Sequence, residues 1–578
     1  MIAPSPGSLA SQLTYEPQEL RFGTSGRRGE VVNLTQLEIY INALAELSYL
    51  QGLPEPTGGI VRGQEFYFAS DLRPSSTSYV VEQGGRGEIA QAIERAIRDS
   101  GMRPVYLGRI PTPALACFAM SRRCGSMMIT GSHIPFDRNG YKTNTSQGEL
   151  LKEHEKPIGD VVLDVRRRLY TQPFAESAFD ENGLLKTGHS GLPAEITLAR
   201  EEYIERYEKF FDGLSLKGKR LLVYQHSAVG RDLIVELLRN FGAEVIPAGR
   251  SDTFVPIDTE NIDARQLAAI QTLADHATET HGPLFAVVSM DGDSDRPLVL
   301  GLDPATDKVQ FFGGDLVGMV AAEFLGADAV VVPISCNDGI DRGSLASVLE
   351  PKTRIGSPYV IAGMEVAGRK NKKVICGWEA NGGFLTGSDI PRNGRTLKAL
   401  PTRDAILPIL CTLFSAQERG LSLSALFCGL PCRFSRAALL KQFPRAVSER
   451  IVGRFSPVDP AVRDVRFQHG KTIVTNSVGR ELYTTEALPS EFEAIRNNLE
   501  DFFRPDLGFS SIVRLNYTDG VRVTFENSDV AHLRPSGNAD ELRIYAVAGT
   551  QERAERIASL GVADPGGILR AMQISVGG

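Results

Sequence analysis

The sequence has 578 residues, a formal net charge of −7 and a pI near 5.8. That length predicts several domains, each able to bury a core, and the mild acidity argues against nucleic acid or an anionic membrane as the main partner. The seven cysteines (117, 124, 336, 376, 411, 428 and 432) are odd in number and scattered among apolar residues, so they read as thiols of a reducing compartment rather than a disulfide frame. Cys428 and Cys432 are close, but no second pair or His cluster accompanies them and no zinc site is expected. The N-terminal stretch lacks a basic region followed by an apolar core, and no run of about 18 apolar residues occurs anywhere. A soluble, cytoplasmic protein is the expectation.

After a loose lead-in of some twenty residues comes RFGTSGRRG, Arg21 to Gly29. Its glycines let the backbone approach a ligand, and Arg27 and Arg28 offer anion-binding forks. Taken alone it reads better as a surface turn with a solvated basic pair. A repeating pattern follows. EFYFASDLRPSS (65–76) is a strand entering a polar turn, EIAQAIERAIRDSG (88–101) has helical period, and PVYLGRIPTP is a second strand. RLLVYQHSAVG (220–230), RDLIVELLRNFG and AEVIPAG repeat it; AVVVPISCNDG (329–339), GSLASVLE and a further extended run do so again. Each copy has the form of a βαβ unit in a mostly parallel sheet. Junctions are expected at 184–195, near 310–314 and within 429–434. Beyond the last, KTIVTN, SIVRLNY, VRVTFEN and LRIYAVA are short β-rich runs around the helical EFEAIRNNLEDFF, an α+β tail. The predicted domains are therefore 1–190, 191–312, 313–432 and 433–578.

Four stretches carry chemistry. In TGSHIPFDRNGYK (130–142), the Ser132 hydroxyl follows the apolar run Met127–Ile129, at the strand edge where open α/β sheets bind ligands. His133 is a proton carrier beside it, and Lys142 follows a turn-forming Asn139–Gly140 pair. A lone Ser-His pair would read as a polar connection. In DGDSDRP (291–297), the alternating Asp291, Asp293 and Asp295 can aim three carboxylates at one point, as a hard cation such as Mg²⁺ requires. No EF-hand is present, because the twelfth loop position is Leu302. GWEANGGF (377–384) places Glu379 and Asn381 on a glycine-flexed loop suited to two sugar hydroxyls, though alone it is an ordinary loop. Trp378 reads as a core anchor or a stacking surface. RPSGNADELRIY (534–545) offers Arg534, Ser536, Gly537 and Asn538 around a phosphate, or else a plain hairpin turn. A nucleophile, a cation site, a polyol reader and a phosphate clamp, one per predicted domain, imply a cleft between four domains.

GTSGRRG, DLRPSS, PTPAL, TGSHIPFDRNGYK, DGDSDR, GWEANGG and RPSGNADELRIY, in that order and across nearly the whole chain, resemble the α-D-phosphohexomutases. The resemblance implies an α/β protein with four domains around a central cleft, three related α/β domains with mixed sheets plus a C-terminal α+β domain. It implies a phosphoserine at Ser132, and Mg²⁺ held by Asp291, Asp293, Asp295 and a phosphoserine oxygen. Arg28, Lys142 and Arg296 would line the reacting phosphate, with Lys142 or His133 moving the proton. Glu379 and Asn381 would read sugar hydroxyls, and Gly356 and Ser357 would form another sugar-facing loop. Arg534, Ser536, Gly537 and Asn538 would grip the substrate's own phosphate. The implied reaction interconverts hexose 6-phosphate and hexose 1-phosphate of mannose or glucose, with hexose 1,6-bisphosphate as intermediate and activator, in a monomer or homodimer.

Three residues depart from the family pattern. Ile134 replaces an Asn after the Ser-His pair, removing a hydrogen bond near the nucleophile. Gly383 stands where many members have His. Asn381 is shared with acetylglucosamine-phosphate mutases rather than the usual bacterial Ser. A phosphoglucosamine or phospho-N-acetylglucosamine mutase is thus the alternative substrate reading. A phosphatase and a non-catalytic sugar-phosphate-binding protein are the rivals of other classes.

Overall fold

The computed structural model describes residues 5–23, 25–260, 262–468, 470–485, 490–536 and 540–577. They form two compact units, Met1–Leu325 with Asn381–Ser424, and Gly326–Ala380 with Ala425–Gly578.

In the first unit a six-stranded mixed sheet carries the serine loop. The strand Glu65–Ser70 is buried along nearly its whole length and lies parallel to both Arg103–Arg109 and Ser126–Ile129. Ser126–Ile129 then pairs antiparallel with Arg138–Thr145, which pairs in turn with Arg27–Glu30. The expected turn at Asn139–Gly140 is not formed. Both residues lie inside Arg138–Thr145, opposite Gly29 and Arg28, because pairing on both flanks outweighs the local turn preference of Asn-Gly. The helix Ile89–Asp99 buries Ile89, Ala92, Ile93, Ala96 and Ile97, the i, i+3, i+4 stripe that packs it onto the sheet.

A second, five-stranded mixed sheet in this unit carries the carboxylate loop. Glu244–Arg250, Arg220–His226 and Ala286–Met290 are parallel, and Ala286–Met290 turns back antiparallel into Pro297–Leu302. The loop 291–296 is therefore the tip of a hairpin between two strands buried throughout except at Leu302. The helix Ala264–His281 covering this sheet begins in a capping box, Asp263 accepting from the Gln266 N–H while the Gln266 side chain accepts from Asp263 N–H. A short antiparallel pair, Phe384–Thr386 with Leu400–Asp404, completes the part relevant to the site.

In the second unit Ala329–Val331 and Ile375–Trp378 are parallel neighbours. The helix between them is Ser357–Arg369, not GSLASVLE, of which Ser344–Val348 forms only a 3₁₀ turn. Five residues with one buried apolar side chain, Leu345, give no stripe for packing a longer helix. Trp378 is fully buried, so it is a core anchor. The C-terminal part is an eight-stranded sheet whose Val530–Pro535 and Glu541–Ala548 pair antiparallel. The helices Gln551–Val562 and Ile568–Ser575 close its core through Ala554, Ile557 and Leu569.

Candidate active site

Ser132 is fully buried and adopts φ 54°, a left-handed conformation uncommon for serine. The loop is held in that shape from below by Arg73. Its guanidinium donates to the carbonyls of Ser132 (3.0 Å), Pro135 (2.7 Å) and Arg138 (2.8 Å), and to that of Ile134. Asp71 adds a second anchor, accepting from Thr130 Oγ1 at 2.8 Å and from the Gly131 N–H at 3.3 Å. Because the loop is gripped through main-chain carbonyls, Ile134 supplies its part as well as any residue would. Arg73 lies over the Phe254 ring, 3.8 Å from its centroid, and exposes none of its side chain.

Ser132 Oγ donates to Asp291 Oδ2 at 2.6 Å, and His133 Nδ1 lies 3.4 Å from the same oxygen. The two loops, 159 residues apart in sequence, thus meet at the nucleophile. Asp291, Asp293 and Asp295 are all buried, with one oxygen of each within 4.8 Å of the others. Three charges that close would repel strongly, and the protein answers with cations. Lys142 Nζ sits 2.6 Å from Asp293 Oδ2 and 2.7 Å from Asp295 Oδ2. Arg403 Nε donates to Asp295 Oδ2 at 3.0 Å, and Arg296 Nε lies 3.6 Å from Asp295 Oδ1. Thr112 Oγ1 donates to Asp293 Oδ2 at 2.6 Å.

These neighbours split the three carboxyls. Burial, then the charges of Asp293 and Asp295, push Asp291 well above the usual carboxylate range. Burial opposes ionisation at the other two as well, but Lys142 at Asp293 and Arg403 at Asp295 outweigh it and hold both below that range. Asp293 Oδ1 and Asp295 Oδ1 are buried without a hydrogen-bond partner. Two unspent oxygen donors beside a third carboxylate are the donor set a hard divalent cation takes, so the residues present fit such an ion.

The arginine pair divides. In the strand Arg27–Glu30 successive side chains point to opposite faces. Arg27 faces the core, where Glu46 Oε1 at 2.5 Å and the Leu20 carbonyl at 2.5 Å occupy its guanidinium, so it is not an anion fork. Arg28 faces the site. Burial, then Arg296, push its guanidinium down to about 10, with Asp293, Arg403 and Asp295 also within its field.

Asn381 belongs to the same unit. Its side-chain oxygen accepts from the Gly383 N–H at 3.0 Å, and its carbonyl accepts from Thr259 Oγ1 at 2.8 Å. Gly383 is explained by Arg403, since a Cβ at 383 would come within 2.5 Å of Arg403 Cδ. A side chain here would push away the guanidinium that neutralises Asp295.

The other predicted residues lie in the second unit. Glu379 is buried and follows the strand Ile375–Trp378 directly, while Gly356 and Ser357 form the start of the helix Ser357–Arg369. Arg534 is the penultimate residue of the strand Val530–Pro535, its Nε 3.2 Å from Asp519 Oδ2. Burial works against its charge, but Tyr545 and Asp519 outweigh that and hold it above its ordinary value. The Ser536 N–H donates to the Glu541 carbonyl at 2.9 Å, across the mouth of the hairpin. Gly537 and Asn538 lie outside the described residues. Sequence reasoning assigned no role to Asp71, Arg73, Thr112, Arg403 or Asp519. The first two stood in the quoted DLRPSS stretch, where an Asp-x-Arg step at a strand end was the available signal, and Thr112 stood in the quoted PTPAL; Arg403 and Asp519 lay in no quoted motif.

Residues 19–167 match the phosphoglucomutase/phosphomannomutase alpha/beta/alpha domain I, and residues 313–434 match domain III of the same set. A phosphomannomutase of Salmonella muenchen is 36% identical over 542 residues, 93% of each chain. A phosphomannomutase of Sinorhizobium fredii is 34% identical over 94% of this chain and 98% of its own. A crystal structure of a phosphoglucomutase/phosphomannomutase family protein from Burkholderia thailandensis superposes with a TM-score of 0.61 over 97% of this chain and 98% of that one, at 18% identity, a likeness of fold. Among the described residues no helix is long and apolar enough to cross a membrane. With a buried serine, a triple carboxylate and relatives at this identity, the chain belongs to the phosphoglucomutase/phosphomannomutase family, the α-D-phosphohexomutases.

Proposed function

We propose that this phosphohexomutase is Mg²⁺-dependent and cytoplasmic, moving a phosphoryl group between O6 and O1 of mannose phosphate, with glucose phosphate as the second substrate. The observation that carries the reading is Ser132 Oγ at 2.6 Å from Asp291 Oδ2, inside a buried three-carboxylate cluster. Mannose is favoured because the two relatives described above, at 36% and 34% identity, are phosphomannomutases.

Asp291, Asp293, Asp295 and an oxygen of the phosphate on Ser132 would hold the Mg²⁺. When bound, Mg²⁺ supplies neutralisation of charge on the phosphoryl oxygens. The P–O bond to Ser132 breaks as a bond forms to a sugar hydroxyl, and His133, whose Nδ1 lies 3.4 Å from Ser132 Oγ, takes the hydroxyl proton and returns it to the released serine oxygen, Lys142 staying a cation between Asp293 and Asp295. Arg28, Lys142 and Arg296 stabilise the negative charge of the group in flight. The resulting hexose 1,6-bisphosphate turns end for end and returns its other phosphate to Ser132; added bisphosphate therefore activates the enzyme by phosphorylating it. Glu379 and Asn381 read the sugar hydroxyls, and Gly356 and Ser357 form another sugar-facing segment. Arg534, Ser536, Gly537 and Asn538 hold the phosphate that is not reacting.

The test is intact-protein mass before and after incubation with mannose 1,6-bisphosphate, alongside turnover of mannose, glucose and N-acetylglucosamine phosphates. One phosphate on wild type, none on Ser132→Ala, and fastest turnover of mannose phosphate are expected. Equal interconversion by wild type and Ser132→Ala would sink the reading. Phosphate release outpacing isomer formation would make the protein a phosphatase. Tight binding without turnover at saturating Mg²⁺ would make it a sugar-phosphate sensor.

A further inference from the structure

Within the second unit one carboxylate oxygen joins two of the segments assigned above to the substrate. Asp519 Oδ2 accepts from Arg534 Nε at 3.2 Å and from the Ile355 backbone N–H at 3.0 Å. Arg534 belongs to the phosphate-binding hairpin. Ile355 directly precedes Gly356 and Ser357, the start of the helix Ser357–Arg369. The segments are 179 positions apart in the sequence (534 − 355), and Asp519 bridges them from a third place.

Asp519 is itself fixed. Its carbonyl accepts from His532 Nε2 at 2.5 Å, two residues before Arg534 on the strand Val530–Pro535. The next residue, Gly520, has φ 77°, and a Cβ there would lie 2.1 Å from the Leu533 carbonyl oxygen. The turn is therefore pressed onto the strand that carries Arg534. An ionised carboxylate accepting two N–H groups at once sets both their distance and their direction. With a side-chain exposure of 21% for Asp519 and 12% for Arg534, water competes only in part.

We propose that Asp519 is a positioning residue of the phosphate clamp, fixing Arg534 relative to the 355–357 segment so that both meet one hexose phosphate. This rests on the reading of Arg534 and Gly356–Ser357 as substrate contacts. Asp519 need not touch the substrate; it acts through Arg534 and the Ile355 amide. Asp519→Asn keeps the shape and an acceptor but removes the charge that orients the guanidinium.

The experiment measures mannose 6-phosphate binding by calorimetry in the full chain carrying Ser132→Ala, and KM and kcat in the otherwise wild-type chain. Asp519→Asn is expected to raise both Kd and KM about tenfold, with kcat within about twofold. Arg534→Lys and Asp519→Asn together should cost less than the product of the single effects, because each disables the same guanidinium. Wild-type hydrogen exchange gives a readout that needs no variant to fold: the Ile355 amide should exchange more slowly at saturating mannose 6-phosphate. Unchanged or tighter binding by Asp519→Asn, multiplicative losses, or an Ile355 amide indifferent to ligand would each overturn the proposal. A wild-type chain that neither binds nor turns over hexose phosphates overturns this proposal together with the proposed function. Wild-type turnover with an indifferent Asp519→Asn overturns this one alone.

Discussion

Ser132, Asp291, Asp293 and Asp295 expose at most 1% of their surface, and each is tied to partners drawn from distant parts of the first unit. Arg534 is partly exposed, lies near the end of a hairpin strand, and leans on Asp519. The contrast follows from what each region is asked to do. Bond-making at phosphorus tolerates little misplacement, so its groups are over-determined by buried charge. In the proposed function Arg534 accepts a phosphate on either end of a turning sugar, a task for an anion-binding fork held in place by a single carboxylate. Substitutions should therefore cost rate in the first region and affinity in the second.

The strongest attempt to break that contrast is Asp293→Asn. It removes a charge from the cation site and leaves Lys142 with one carboxylate fewer, so kcat should fall about 1,000-fold. The residual rate should no longer respond to Mg²⁺ titration, whereas wild type should lose activity in EDTA and regain it with Mg²⁺. Near-wild-type kcat would mean the carboxylates serve only to hold Lys142. Next is Arg73→Met. It leaves Asp71 buried without its cation and four loop carbonyls without a donor, for a loss of about 3 kcal/mol in urea unfolding. An unchanged midpoint would show that the serine loop keeps its shape unaided. Arg534→Ala comes third, with KM for mannose 6-phosphate up about 30-fold and kcat down far less, as expected for a lost charge-assisted contact. A kcat loss exceeding the KM rise would erase the distinction between the two regions. Smallest is Gly383→Ala, whose methyl group displaces Arg403 from Asp295 and should slow kcat several-fold, about 1 kcal/mol, with KM unchanged.

What the sequence disclosed depended on how local the signal was. The triple carboxylate was legible because alternation within five residues is enough to converge three side chains on a hairpin tip. Ser132, His133 and Lys142 were legible as one stretch, and α/β layering followed from strand and helix periods, which suggested mostly parallel sheets; the antiparallel strands Arg138–Thr145 and Pro297–Leu302 were not read from them. Arg73 could be quoted in its motif yet given no task, since its partners lie some sixty residues away. Thr112, quoted within PTPAL but given no task, and Arg403, in no quoted motif, reach the carboxylates across 181 and 108 residues. Arg27 and Arg28 looked equivalent in a basic pair, but strand alternation sends one to Glu46 and the other to the site. Asn139–Gly140 misled for the opposite reason. A strong local preference for turning was overridden by hydrogen bonding on both sides, which no window around the pair contains.

The complete burial of Ser132 constrains how the enzyme is first charged. A protein kinase must draw several residues of its target, extended, into its own groove, and a side chain held on a tight loop beneath the surface offers no such purchase. If Ser132 carries the group, priming falls to something the size of a sugar. The supply of doubly phosphorylated hexose in the cell, rather than a signalling cascade, would then decide what fraction of the molecules stands ready to work.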